Sequence, residues 1–334
     1  GYGVGDQMDE ISLGMASSAD FDNLAALRAE NARLIGLLEA NGIAWRTTTP
    51  APVVPDVASS RLSTDEKVAL FGRLFRGRSD VFPVRWEAKT SGKSGYSPAC
   101  ANEWRPGVCE KPRVKCGDCS HRELIPLSDA VLFRHLAGDH IIGSYPLLTD
   151  DTCHFLAVDF DEADWREDAL AFAQAGQSLG VPVALEISRS GNGAHAWVFF
   201  DRRVSARDAR RLGTAIISHT CARTRQLKLA SYDRLFPNQD SMPKGGFGNL
   251  IALPLQKAAR EQGCSVFVDD RLQPYADQWA YLADLPRMPA VDIEPTILRA
   301  TGGTHPLDVW RVNLLEARDN LGEKCRGATI MPDI

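Results

Sequence analysis

No run in the 334-residue sequence is apolar for long enough to cross a bilayer, and none has the short apolar stretch of a secretory leader. Membrane-spanning functions are thereby excluded, and a soluble cytoplasmic protein with no membrane partner is expected. General positive charge is also lacking: 38 Lys and Arg face 43 Asp and Glu, a net charge of −5. Any polyanion must be met by a local basic face. Two nucleotide-binding signatures are missing as well. Gly92-Lys93-Ser94 has the ending of a phosphate-binding loop, but Glu87 stands where that motif needs glycine, and no apolar strand leads in. Ser190-Gly-Asn-Gly-Ala-His195 joins two expected strands, not a strand to a helix, which excludes a dinucleotide-binding turn.

What is present begins with eight cysteines, which in a reducing compartment need an explanation other than disulfides. Cys100, Cys109, Cys116 and Cys119 fall in a polar segment, 96–123, rich in Pro and Gly and too short for a core of its own. Four thiolates in such a setting fit a structural Zn²⁺ site, with His121 as an alternative ligand. A redox pair at Cys116 and Cys119 is the rival, but the strand–helix context it needs is absent. Cys153, Cys221, Cys264 and Cys325 are scattered and read as small buried hydrophobes.

Pattern divides the chain. Residues 1–20 have no periodicity and are expected to be disordered, with Met8 or Met15 as the natural start. Over 21–41, Leu24, Leu27, Asn31, Leu34 and Leu38 fit alternating a and d positions. A short coiled-coil-like helix follows, either a parallel homodimer contact or a lone amphipathic helix. Residues 42–62 read as a linker, with Pro50, Pro52 and Pro55. The folded domain is expected over 63–290, opening on the capping box Ser63-Thr-Asp-Glu66 and an apolar face of Val68, Phe71, Leu74 and Phe75, with Gly77 ending the helix. Residues 291–334 form a C-terminal extension with one expected helix, 306–321.

The chemistry centres on His154-Phe-Leu-Ala-Val-Asp-Phe-Asp161. As a strand it places Phe155, Ala157, Asp159 and Asp161 on one face and Leu156, Val158 and Phe160 on the other. Two carboxylates converging at the end of an apolar strand repel unless a cation lies between them, and hard oxygen ligands suit Mg²⁺ or Mn²⁺. A solvated pair opening a turn is the plainer reading. Downstream come a helix from Asp164, a strand to Ile187, and then Ser188-Arg-Ser-Gly-Asn-Gly-Ala-His195 leading into another strand. Backbone N–H groups and hydroxyls in such a turn suit a phosphate. From Arg202 to Arg234, nine basic residues face Asp208 and Asp233, a local surplus of +7 that reads either as a polyanion contact or as a solvated helix face.

Asp159-Phe-Asp161, then Ser190-Gly-Asn-Gly-Ala-His195, then an acid after a helix, resembles the archaeo-eukaryotic primase superfamily. The Cys cluster, Tyr232 to Pro237 and Pro243 to Pro254 resemble the primase–polymerase domain of TOTE conflict-system proteins. The resemblance implies an α+β catalytic core: a mainly antiparallel or mixed sheet flanked by helices, one half RRM-like, with an inserted zinc-binding segment and an N-terminal helix. It implies a template-dependent primase–polymerase that joins nucleotides from NTP or dNTP to a 3′-hydroxyl, with de novo starts within its range.

Asp159, Asp161 and Asp233 would hold two Mg²⁺ or Mn²⁺ ions roughly 3.5–4 Å apart. Asp240 competes with Asp233 for the third place. Arg189, Ser190, Asn192, Gly193, His195 and Lys244 would contact the nucleotide, His195 with a catalytic part, and Gln239 and Asn249 are further candidates. Single-stranded DNA template or primer-template would lie on the basic helix and the zinc segment. A helicase or nuclease region, or a partner of the same system, is also implied. Two other functions stay open: a non-catalytic zinc-containing single-stranded nucleic-acid-binding module, and a metal-dependent phosphodiesterase using the same carboxylates.

Overall fold

The computed structural model describes residues 61–88, 92–161, 163–223 and 231–303, with isolated positions 30, 33, 34 and 37. The chain divides into two units, Gly1–Val57 and Ala58–Ile334. The disordered start, nearly all of the linker and the helix expected at 306–321 lie outside the described residues. So does the dimer contact expected over 21–41, where only isolated positions are described and Arg33 pairs with Glu30 at 2.7 Å. No helix among the described residues is long and apolar enough to cross a membrane.

In chain order the elements are α1 (Thr64–Leu74), β1 (Pro83–Glu87), β2 (Ser94–Pro98), α2 (Asp129–Ala137), β3 (Gly143–Ser144), β4 (Thr152–Asp161) and α3 (Trp165–Ser178). Then follow β5 (Ala184–Ile187), β6 (Gly193–Ser205), α4 (Ala206–Arg223), β7 (Tyr232–Phe236), β8 (Ile251–Ala252), α5 (Lys257–Arg260), β9 (Val266–Val268), α6 (Gln278–Ala283) and α7 (Ile293–Ala300).

Local chemistry sets the first helix. Ser63 Oγ accepts from the Glu66 N–H at 3.3 Å, and the Glu66 carboxylate accepts from the Ser63 N–H at 2.7 Å, so the expected capping box is formed. Val68, Phe71 and Leu74 are buried beneath it. Gly77 has a different part from the one expected. The helix already stops at Leu74, and a Cβ on Gly77 would lie 2.2 Å from Ser144 Oγ and 2.3 Å from the Tyr145 carbonyl oxygen. Glycine there lets two backbones touch.

Five strands form one antiparallel sheet in the order β7-β4-β6-β5-β9. Within it, β4-α3-β5-β6-α4-β7 is a β-α-β-β-α-β unit, the strand–helix order of the expected RRM-like half. Two smaller antiparallel pairs, β1–β2 and β3–β8, complete the strands. Of the strand expected over 250–255, only Ile251 and Ala252 pair.

The sheet is buried on both faces. Leu156, Val158 and Phe160 pack with Phe172 of α3 and Leu212 and Ile216 of α4. Ile293 and Ile297 of α7 are buried in that same layer, so the fold continues past the edge expected near residue 290. Phe155, Ala157, Trp197 and Phe199 face the other way, onto Phe71 of α1, Leu132 and Leu136 of α2, and Leu282 of α6. There the rings of Trp197 and Phe199 lie parallel at 6.0 Å, and Phe75 meets both edge-on at 5.0 and 5.3 Å. The alternation read along β4 is therefore the alternation of two cores.

Leu156 is fully buried between sheet and helices. Leu156→Ala is expected to cost about 2–5 kcal/mol, against about 1 kcal/mol for loss of the cap in Ser63→Ala. Urea unfolding of both variants measures this, and equal losses would contradict the layer assignment.

Candidate active site

Register pairing builds one row across the sheet. Glu186 of β5 stands opposite His195 of β6, His195 opposite Asp159 of β4, and Asp159 opposite Arg234 of β7. Directly paired residues point to the same face, so the row alternates acid, imidazole, acid and guanidinium. Glu186 is almost fully buried, at 1% exposure. Such a charge needs partners, and it has them. Glu186 Oε2 accepts from His195 Nδ1 at 2.8 Å and from the Trp197 indole N–H at 3.0 Å. His195 Nε2 then lies 3.5 Å from Asp159 Oδ1.

These contacts set the protonation states. Burial works against a charged His195, but Glu186, Asp159 and Asp161 outweigh it and raise its pKa to about 9. His195 is thus an imidazolium at neutral pH, with an N–H on each nitrogen. Burial raises Asp159 to about 6, with Asp161 and Asp233 adding to the shift and His195 and Arg234 opposing it.

A bulge brings in the third acid. Asp159 pairs with Arg234 but Phe160 pairs with Tyr232, so Asp233 is the extra residue on β7. A bulge redirects the side chain at that point. Carboxylate oxygens of Asp159, Asp161 and Asp233 all lie within 4.8 Å of one another, the one such cluster of potential metal ligands among the described residues. Asp240, the competitor, pairs instead with Arg210. Gly193 makes room for this cluster. It pairs with Asp161 across the sheet, and a Cβ on it would lie 2.5 Å from Asp161 Oδ1.

The other expected residues are spread around the acids. Ser190 Oγ is taken up within its own turn, 3.0 Å from Ser188 Oγ and accepting from the Asn192 N–H at 3.2 Å. Gly191 has φ +74°, which suits glycine. Arg189 is half-buried beside Tyr96 of β2. Burial raises the Tyr96 phenol above its ordinary pKa, while Arg189 and Arg85 oppose that rise. Lys244 is exposed in the loop after β7, and Gln239 is half-buried there. Asn249 braces that loop, donating to the Leu235 carbonyl at 3.0 Å and accepting from the Asn238 N–H at 3.3 Å. Its amide is therefore committed to the backbone.

Cys100, Cys109, Cys116, Cys119 and His121 line one cavity. No three of them come as close as the acids do. Cys100 Sγ accepts from the Glu123 N–H at 3.3 Å. Burial works against the Lys111 ammonium, but Glu103 and Cys116 keep its pKa above the ordinary value. One N–H donor and one cation thus lie beside these sulfurs.

Part of the basic run expected to meet a polyanion is paired with acids, and Arg225 and Lys228 lie outside the described residues. Arg202, Arg203, Arg210, Arg211 and Arg234 are paired with Asp201, Asp150, Asp240, Asp208 and Glu294, and Asp233. Moreover α4 packs on the layer of Leu156 and Val158, behind the sheet from the carboxylates. Glu186 is the residue that sequence reasoning missed. Its signal was a lone acid inside the apolar strand Val-Pro-Val-Ala-Leu-Glu-Ile, a charge that burial obliges to find a partner.

Residues 66–296 match the family model described as the TOTE conflict system, Archaeo-Eukaryotic Primase domain. Among solved structures, the chain is similar to the polymerase domain from Mycobacterium tuberculosis Ligase D in complex with DNA. The identity is 13% and the TM-score 0.32, over 71% of this chain and 88% of that one. No curated protein matches.

Two predictions follow from the row. The folded pKa of Asp159, about 6, lies above its ordinary 3.8. Without a cation, its protonation favours the folded state below about pH 4, and that contribution is lost as pH rises through about 6. Above that pH a divalent ion relieves the repulsion. Mn²⁺ should therefore raise Tm more at neutral pH than at mildly acidic pH, with the difference abolished in Asp159→Asn; an equal rise at both would contradict it. Glu186→Gln should bring the His195 pKa down from about 9 toward its ordinary 6.5, read by NMR titration.

Proposed function

The chain belongs to the Archaeo-Eukaryotic Primase domain family of the TOTE conflict system, and we propose that it is a template-dependent DNA primase–polymerase. It would transfer nucleotidyl groups from NTP or dNTP to a 3′-hydroxyl and start chains de novo. The observation that carries this reading is the convergence of Asp159, Asp161 and Asp233 from two strands beside a charged His195. Three carboxylates are a hard oxygen donor set that fits Mg²⁺ or Mn²⁺. A pair of such ions, when bound, supplies an activated hydroxyl and neutralisation of phosphate charge.

The chain's own residues supply position and electrostatics. Asp159, Asp161 and Asp233 would hold the ions. Glu186 keeps His195 oriented and charged, so that its Nε2–H is a donor for a phosphate oxygen. The Ser188–Gly193 turn lies beside that donor, its Ser188, Gly191 and Asn192 N–H groups used within the turn, with Ser190 shaping it and the Asn192 side chain exposed for a contact. Arg189 and Lys244 would add positive charge. Cys100, Cys109, Cys116 and Cys119 would hold a structural Zn²⁺, with thiolate chemistry that stabilises a short segment. The single-stranded template or primer-template would lie on the carboxylate side of the sheet. Trp86 and Trp104 are exposed and would offer base stacking.

The test is incubation with unprimed single-stranded DNA, labelled NTP or dNTP, and Mg²⁺ or Mn²⁺. Wild type should yield short products. Asp159→Ala should lose activity by about 100-fold or more while DNA binding holds within a few-fold. DNA binding by wild type without nucleotide incorporation, on primed or unprimed templates, would overturn the reading. Shortening of labelled DNA without nucleotides would identify a phosphodiesterase instead.

A further inference from the structure

Residues Pro243 to Gly248 hold three glycines, Gly245, Gly246 and Gly248, two of them at positive φ of +73° and +74°. A loop of this composition loses much entropy when ordered. No strand pairing holds it; beyond the turn bond from the Gly246 N–H to the Pro243 carbonyl at 2.9 Å, side chains reaching in hold it. Arg78 Nη1 donates to the Gly246 carbonyl at 3.2 Å. Phe247 stacks on Tyr145 at 5.5 Å, and the guanidinium groups of Arg78 and Arg122 each lie over its ring, 5.5 Å from the centre.

The remaining hold comes from the cysteine-rich segment. Arg122 Nη1 lies within donor distance of three carbonyls: Cys116 at 3.3 Å, Gly117 at 3.0 Å and Gly245 at 3.0 Å. Two of these belong to the Cys116–Cys119 turn and the third to the residue after Lys244. The backbones meet at the same place, since a Cβ on Gly245 would lie 3.3 Å from the Gly117 oxygen. One guanidinium thus fastens the cysteine turn to the lysine loop.

We propose that the cysteine-rich segment braces the Lys244 loop through Arg122, a positioning residue, so that nucleotide affinity depends on the shape of the Cys116–Cys119 turn. This rests on the reading of Lys244 as a triphosphate contact. A metal held by the cysteines would fix the carbonyls of Cys116 and Gly117, those carbonyls fix Arg122, and Arg122 fixes the Gly245 carbonyl. The segment then has a task beyond its own folding.

The experiment compares the full chain with Arg122→Ala, Arg122→Lys, Lys244→Ala and the double variant Cys116→Ser, Cys119→Ser. Amide hydrogen exchange over residues 242–249, zinc content by metal analysis, and binding of dATP with Mn²⁺ are measured for each. Arg122→Ala should keep its zinc and the exchange protection of β4 and β6. Its loop should exchange about tenfold faster, and dATP should bind about tenfold more weakly, the scale of one charge-assisted hydrogen bond. Arg122→Lys, keeping the charge without the planar reach, should recover part of both. The double cysteine variant should lose zinc and show the same loop change. Loop exchange unchanged in Arg122→Ala, or unchanged when zinc is lost, overturns the brace. Faster loop exchange with dATP affinity unaltered in both Arg122→Ala and Lys244→Ala overturns the phosphate reading of Lys244 and leaves the brace standing.

Discussion

A buried carboxylate in a sheet core cannot stand alone, and Glu186 sets the terms for everything beside it. Its position opposite His195 keeps the imidazole charged. The charged imidazole lies against Asp159, and Asp159 is opposed on its other side by Arg234. The row works because antiparallel pairing puts facing residues on one side of the sheet at close range. Alternating charge lets four ionisable groups share that side without a net excess of either sign. Arg234 also pairs with Asp233 at the open end, so Asp159, Asp161 and Asp233 share its charge.

Backbone geometry makes that open end crowded. Asp161 projects over a glycine, and Asp233 arrives through a residue too many on β7. Neither device adds stability by itself: glycine weakens a strand, and a bulge interrupts its ladder. Both are tolerated because the strands beneath are buried on two faces, with Phe160 and Leu156 packed on one side and Phe155 and Trp197 on the other. A doubly covered sheet can carry a rim of repelling acids that a thinner fold would shed.

Coverage also separates the roles of the two faces. Helices α3, α4 and α7 close one side, and Arg210 and Arg211 of α4 are paired with neighbouring acids. The other side carries α1, α2 and the aromatic cluster, and Asp159 and Asp161 follow Phe155 and Ala157 onto that face at the end of β4. The glycine loop bearing Lys244 is held from two directions, by Arg78 and by Arg122 of the cysteine-rich segment. An inserted segment with little core of its own is thus tied to the main fold by backbone carbonyls and one cation.

Local rules were enough for much of this. Period-two alternation on β4 placed Asp159 and Asp161 on one face, because side-chain direction in a strand is decided by the residue's own backbone. The cap at Ser63, the end of α3 near Gly180 and the hairpin into β6 follow from equally local chemistry, and the order of acid, glycine turn and histidine carried the family resemblance. Other features depend on distant partners. Glu186 reads as an ordinary strand residue until His195 and Trp197 are folded against it. Asp233 is the expected third acid with Asp240 as its competitor, and the bulge on β7 and the pairing of Asp240 with Arg210 separate them in space. Gly77 looks like a helix stop until Tyr145 comes close, and the acids that pair with Arg203, Arg210 and Arg211 come from other parts of the chain. The amino-acid order by itself determined which strand carries the acids and which way they point, since both are one-residue properties. Tertiary structure decided how the third acid reaches them and which charges are neutralised, because those depend on groups far apart in the chain being brought within a few ångströms.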